Sequence, residues 1–159
     1  MLNQHEKQYP SALLITHFLA TIFQSQITPI TKTELLAQTL AEELRCEGFP
    51  EFNPQNRIEF SGFLNYLLDV FQQPDVEIEL LLTDNTKVLI HFQIQGNHHE
   101  EFMGLAPANG LLLFNTNILF KLQNNRISEI VMGDKKVTLT TNKGAIYKFT
   151  GFNNASTSA

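Results

Sequence analysis

Histidines and carboxylates follow directly on a strongly alternating segment near the middle of the chain. Residues 86–95 alternate apolar and polar side chains, which is the period of a strand with one buried face. Just beyond this strand come His98, His99, Glu100 and Glu101. Imidazole and carboxylate groups at the rim of an apolar face could exchange protons with a bound ligand. The segment therefore predicts a candidate acid/base site at the end of the strand.

A metal site is the weaker interpretation of this cluster. Adjacent residues on an extended segment point to opposite sides, and the sequence offers no second group of ligands to complete a coordination sphere. The sequence therefore predicts no metal, and it predicts no other cofactor.

Composition and charge restrict the class of protein. The chain has 159 residues, so we expect one domain over residues 1–152, followed by a disordered tail over 153–159. A net charge of −5, with only 11 scattered basic residues, argues against nucleic-acid binding. The single cysteine, the polar start of the chain and the absence of a long apolar run predict a cytoplasmic protein that does not enter a membrane.

The hydrophobic period changes once along the chain. Apolar residues recur every three or four positions in the first half, which predicts helices over about 11–26, 31–48 and 54–73. After Asp75 the period is two, which predicts strands over 76–82, 86–95, 111–122, 127–132, 136–141 and 144–149. We therefore expect an α+β domain with helices on one side of a curved antiparallel sheet and an extra C-terminal hairpin.

This order of elements, over about residues 10–135, resembles the NTF2-like cone fold. Within it, residues 96–107 (GNHHEEFMGLAP) resemble the G-T-H-x-G-E-F-x-G-x-P-P signature of the SnoaL-like polyketide cyclases. Residues 120–129 are similar to a strand pair of the same family. The resemblance implies an apolar cone that holds a small hydrophobic ligand. It also implies cofactor-free ring closure by an aldol reaction, with an aspartate and a histidine as acid/base groups.

The resemblance carries over to two residues. His98 matches the family histidine, and by parity it shares the inward face with Phe92. The family aspartate position falls on Lys135, and Asp134 precedes it by one residue. A one-residue offset reverses the direction of a side chain, so only a bulge at Gly133 would turn Asp134 inward. The predicted catalytic pair is His98 and Asp134; the alternatives are a histidine bonded to the backbone of the 96–110 loop and a turn aspartate.

Aromatic residues could line the predicted pocket. The chain has 13 phenylalanines and no tryptophan, and core packing is the competing interpretation for most of them. Thr116 interrupts an apolar face, so its hydroxyl needs a hydrogen-bond partner or a ligand. The predicted pocket residues are Phe63, Tyr66, Phe92, Phe102, Phe114 and Thr116.

Two classes of function fit these observations. The first is a cofactor-independent lyase, isomerase or cyclase acting on a polyketide-like or cyclic carbonyl compound. The second is a non-catalytic ligand-binding or dimeric interaction module without the family's catalytic aspartate. A carboxylate within hydrogen-bond reach of His98 would favour the first class.

The outer face of the predicted sheet indicates self-association. Along residues 86–95 and 111–122 this face carries amides and leucines, with charges only at Lys87 and Lys121. Interface cores are depleted in charge. Many NTF2-like proteins pair through their sheets, so the resemblance implies the same arrangement. We therefore expect a two-fold homodimer through this face.

Overall fold

Three helices lie around one sheet in the computed structural model, which describes residues 9–107 and 109–150. The helices are α1 (Pro10–Ile22), α2 (Pro29–Thr39) and α3 (Arg57–Val70). The predicted tail at 153–159 lies outside the described residues.

Local sequence explains where the helices begin. Proline occupies the first position of both α1 and α2, where its missing N–H costs nothing. The hydroxyl of Thr28 accepts from the Thr31 amide at 3.1 Å, and the Asn56 side chain accepts from the Glu59 amide at 2.8 Å. These caps set the N-termini of α2 and α3.

The sheet has six strands in the described part of the chain. Its order is β1-β5-β4-β3-β2, and β6 pairs with the far end of β5. All neighbours are antiparallel except β1 and β5, which are parallel, so the sheet is mixed. The strands are β1 (Leu40–Glu47), β2 (Phe71–Thr83), β3 (Lys87–His98), β4 (Gly110–Gln123), β5 (Arg126–Thr141) and β6 (Ile146–Phe149). The α+β class, the curved sheet after three helices and the C-terminal hairpin are confirmed.

The predicted helix over 31–48 is wrong in its second half. The helix ends at Thr39, and Leu40–Glu47 form β1, parallel to β5. Buried Leu40 and Leu44 are spaced four apart, which fits a helix face, but residues four apart also lie on the same face of a strand. The guanidinium of Arg57 donates to the Leu40 carbonyl at 2.9 and 3.1 Å, so it stabilises the switch from helix to strand.

The predicted strands over 127–132 and 136–141 form one continuous strand, β5. Its register with β4 shifts between the pair Thr116–Lys135 and the pair Ile118–Met132, which marks a bulge at 133–134. The bulge reverses the alternation of side chains beyond it, and this reversal decides which residues face the interior.

The inner face of the sheet packs against the helices. Along β3 every second residue is buried from Val88 to His98, as the alternation predicts. The largest fully buried side chains on this face and in the facing segments are phenylalanines. Among the described helices, none has both the length and the apolar character that crossing a bilayer demands.

Candidate functional site

The middle of the inner face is a cross-strand row of Phe92, Thr116 and Lys135, which lie in register on β3, β4 and β5. The hydroxyl of Thr116 donates at 3.3 Å towards the carbonyl oxygens of Asn117 and Gly133. The backbone at the bulge therefore satisfies Thr116, and its hydroxyl does not require a ligand.

The predicted aromatic residues form a connected cluster on this face. Ring centroids are 6.2 Å apart for Phe63 and Tyr66, 6.0 Å for Tyr66 and Phe102, and 5.2 Å for Phe102 and Phe114. Phe71 packs edge-on against Phe102 at 5.3 Å. Offset and edge-on contacts at these distances are attractive, so the cluster is packed as core.

The space left inside the cone is an apolar cavity of about 30 Å³. In the described part of the chain, thirteen apolar side chains line it, and six of them are phenylalanines. Phe63 and Phe92 are among these, whereas Tyr66, Phe102, Phe114 and Thr116 are not. Such a volume is close to that of one water molecule, far below the ~300 Å³ or more of drug-sized sites. A ligand inside the cone therefore requires side chains to move.

His98 ends the inner face of β3, and only 5% of it is exposed. Both ring nitrogens are buried and have no hydrogen-bond partner among the described residues. Burial lowers the pKa of His98; the backbones of Glu100 and Leu105 oppose this shift, although neither makes a hydrogen bond of good geometry. The imidazole is therefore neutral at pH 7. Its ring nitrogens are available to accept a proton or to form a hydrogen bond with a ligand.

Asp134 lies in the bulge of β5, where its side chain is exposed. The bulge turns Lys135 inward instead, and only 3% of this lysine is exposed. The Lys135 amine donates to the Gly133 carbonyl at 3.0 Å, and it lies 3.5 Å from where a Cβ at Gly48 would stand. Burial lowers the pKa of Lys135, and the nearby Asp134 carboxylate partly opposes this shift. In the row of Phe92 and Thr116, the polar group that points into the cone is therefore the Lys135 amine.

His98 and Asp134 do not come together. His98 lies six residues beyond Phe92 along β3, whereas Lys135, next to Asp134, lies in register with Phe92 through Thr116. At about 3.3 Å per residue this places His98 about 20 Å away along the strands. A single small ligand does not reach both groups in the described geometry, and the assignment of the pair as catalytic stays a prediction.

A larger concavity opens outside the cone. It is a groove of about 990 Å³ between the turn after α1, the start of α2, the side of α3 and the start of β2. Phe23, the residue that caps α1, lines both this groove and the inner cavity. Its half-buried ring lies against Phe92 with centroids 5.7 Å apart. Phe23 is therefore a side chain that the groove and the interior of the cone share.

The thiol of Cys46 is buried and forms no disulfide. Burial raises the pKa of the Cys46 thiol to about 12, so the thiolate is scarcely populated at neutral pH. Within residues 9–107 and 109–150, no three His, Cys, Asp or Glu side chains group closely enough to hold a metal ion.

Sequence reasoning did not identify Lys135, Phe23 or Lys32 of the groove as parts of a site. The Gly133-Asp134 pair is a sequence signal for a bulge. Such a bulge places Lys135, and not Asp134, on the inner face. Phe23 is the last apolar residue before the Thr28-Pro29 break, which places it at a helix end.

Comparison with known proteins gives a family and a fold. A family model described as SnoaL-like polyketide cyclase matches residues 17–140. A search of the curated proteins found no match.

Solved structures share the fold at low sequence identity. A candidate SnoaL-like polyketide cyclase from Jannaschia sp. CCS1 superposes with a TM-score of 0.64 at 14% identity, covering 77% of this chain and 83% of that one. A SnoaL-like polyketide cyclase from Agrobacterium tumefaciens C58 gives 0.61 at 12% identity, over 76% and 87%. TsrD from Streptomyces laurentii gives 0.60 at 13% identity, over 82% and 88%.

Proposed function

Because this chain belongs to the SnoaL-like polyketide cyclase family, we propose that it binds a small hydrophobic ligand of the cyclic carbonyl type inside its cone. The observation that carries the proposal is the position of Phe23. This side chain lines both a groove of about 990 Å³ and the apolar cavity. Rotation of one ring at a helix end would join the two spaces.

Apolar burial supplies the affinity in this proposal. The cavity lining has no polar surface, so a hydrocarbon ring that replaces the Phe23 ring loses no hydrogen bond. Each square ångström of apolar surface removed from water contributes about 25 cal/mol. Part of this binding free energy is lost because the cavity is nearly filled, so the ligand must displace side chains that already pack well.

Binding of 1-tetralone, a neutral bicyclic ketone, tests the proposal. We expect methyl NMR signals of the cavity residues Leu19 and Ile118 to shift on titration. Phe23→Ala should tighten binding several-fold, and Phe23→Trp should weaken it. The control Tyr147→Ala, at an exposed side chain of β6, should leave binding unchanged. Unchanged cavity signals in both the native protein and Phe23→Ala would refute the proposal.

The second candidate is cofactor-free acid/base cyclisation or isomerisation of such a ligand. Membership of the family favours it, and the buried neutral imidazole of His98 is a group able to accept a proton. The exposure of Asp134 and its distance from His98 favour binding without catalysis by this pair. We therefore propose ligand binding as the function and acid/base catalysis as the alternative.

Hydrogen exchange at the ligand separates the two candidates. A general base removes a proton from the carbon next to the ketone, and the enolate then takes a deuteron from D₂O. If the protein is only a binder, 1-tetralone exchanges at the buffer rate. If it is an acid/base catalyst, exchange is faster with the native protein, and His98→Gln or Asp134→Asn shows which group is responsible.

A further inference from the structure

The groove outside Phe23 combines an apolar side with a polar side. Of the fourteen described residues that line it, six are apolar and seven carry amides or hydroxyls. The remaining one is Lys32, so the lining contains one cation and no carboxylate. This is unusual for a chain with 16 acidic and 11 basic residues.

Lys32 is held in place by a neutral partner. Its half-buried amine donates to the Asn65 side-chain oxygen at 2.9 Å, which joins α2 to α3 across the groove. Among the described residues it forms no ion pair; the two that occur involve His99 with Glu100 and Lys121 with Glu129. Burial lowers the pKa of Lys32, and an anion beside the amine would oppose this shift.

We propose that this groove binds the carboxylate of an amphipathic organic acid at Lys32, with the apolar part of the acid directed past Phe23 into the cone. The inference rests on the proposed function, and it adds the chemical class of the ligand. The carboxylate and the Lys32 amine form a charge-assisted hydrogen bond, and the apolar residues Leu68 and Phe71 flank the path along the groove. Asn65 and Gln72 also line the groove, and their amide N–H groups are donors for the remaining carboxylate lone pairs.

A matched pair of probes isolates the charge. 5-Phenylvalerate and 4-phenylbutanol share a 4-phenylbutyl group, and they differ in a carboxylate against a hydroxyl. We expect the native protein to bind the acid about tenfold more tightly than the alcohol, since one partly exposed charge-assisted hydrogen bond corresponds to roughly one decade in Kd. Isothermal titration calorimetry at low salt measures both affinities.

Lysine variants then locate the charge. Lys32→Gln should abolish the preference for the acid, and Lys32→Arg should retain it. Lys143→Gln is the control, because it removes the same charge from an exposed turn and should leave the preference intact. An equal effect of Lys32→Gln and Lys143→Gln would overturn the inference, since net charge alone would then explain the binding.

The Phe23 variants separate this inference from the proposed function. If the native protein binds acid and alcohol equally and Phe23→Trp weakens both, the cone binds the ligand and the inference about Lys32 is wrong. If Lys32→Gln weakens binding of the acid while Phe23→Trp changes nothing, Lys32 binds the carboxylate in the groove, and both the path past Phe23 and the proposed function are wrong. If neither probe binds, the inference is overturned, and the titration with 1-tetralone decides the proposed function separately.

Discussion

Lys135→Met should make the protein more stable. The native side chain is 3% exposed, and its amine makes one hydrogen bond, to the Gly133 carbonyl at 3.0 Å. No carboxylate of the described residues lies within ion-pair distance of this amine. Methionine has a similar length and a flexible apolar side chain, so it fills the same space without a charge.

The size of the effect follows from two opposing contributions. Burying a charge without a counter-ion costs several kcal/mol after relaxation. The hydrogen bond to a charged donor returns about 1.5–3 kcal/mol. Its loss leaves no unsatisfied acceptor, because the Thr116 hydroxyl also donates to the Gly133 carbonyl, at 3.3 Å. We expect the free energy of unfolding to rise by about 1–3 kcal/mol at pH 7, which corresponds to a Tm increase of about 2–12 °C for a chain of this size.

The stability advantage of Lys135→Met over the native protein should decrease as the pH rises. Burial lowers the pKa of Lys135 in the folded state, whereas the unfolded value is about 10.4. Between these two values the unfolded state binds more protons, so native stability rises with pH there. The advantage of Lys135→Met is therefore complete below the folded pKa, and it shrinks as the pH approaches about 10.4.

Urea unfolding followed by far-UV circular dichroism measures the effect. Lys136→Met is the matched control, because Lys136 is the exposed neighbour on the opposite face and should change stability by less than about 0.5 kcal/mol. A loss of more than about 1 kcal/mol in Lys135→Met, at an unchanged m-value, would refute the reasoning. Such a loss would mean that the amine has a stabilising partner.

Three further predictions concern the backbone at Gly48, the outer face of the sheet and the pH dependence of stability. Gly48 has φ +78°, and a Cβ there would overlap the Met132 carbonyl, so Gly48→Ala should cost at least about 2 kcal/mol in urea unfolding. Gly62→Ala, on an open helix surface, should instead gain about 0.5–1 kcal/mol; equal effects of the two would contradict this account. Leu113→Glu should convert the homodimer proposed through the outer faces of β3 and β4 into an 18.1 kDa monomer by light scattering, and a native protein that is already monomeric would remove the idea. Because burial lowers the pKa of His98 below its usual 6.5, the contribution of His98 to stability is present above pH 6.5 and is lost as the pH falls through the folded pKa; His98→Gln should flatten this part of the thermal stability profile.

The sequence by itself determined the α+β class and the faces of the long strands. The alternation along β3 places Phe92 and His98 inward because strand parity is a local property that the backbone enforces. Helix α1 follows equally from the local spacing of Phe18 and Ile22. The order of the elements together with the motifs at 96–107 and 120–129 predicted a family that the match over 17–140 confirms.

Only the tertiary structure decided β1, the bulge and the two spaces beside Phe23. Leu40 and Leu44 satisfy a helix and a strand equally well, and pairing with β5 selects the strand because its backbone groups need partners there. The bulge turns Lys135 inward and Asp134 outward through its register with β4, which is a relation between residues far apart in sequence. The volume of the cavity and the contact between Lys32 and Asn65 depend on how whole elements pack, and neither has a local signal in the sequence.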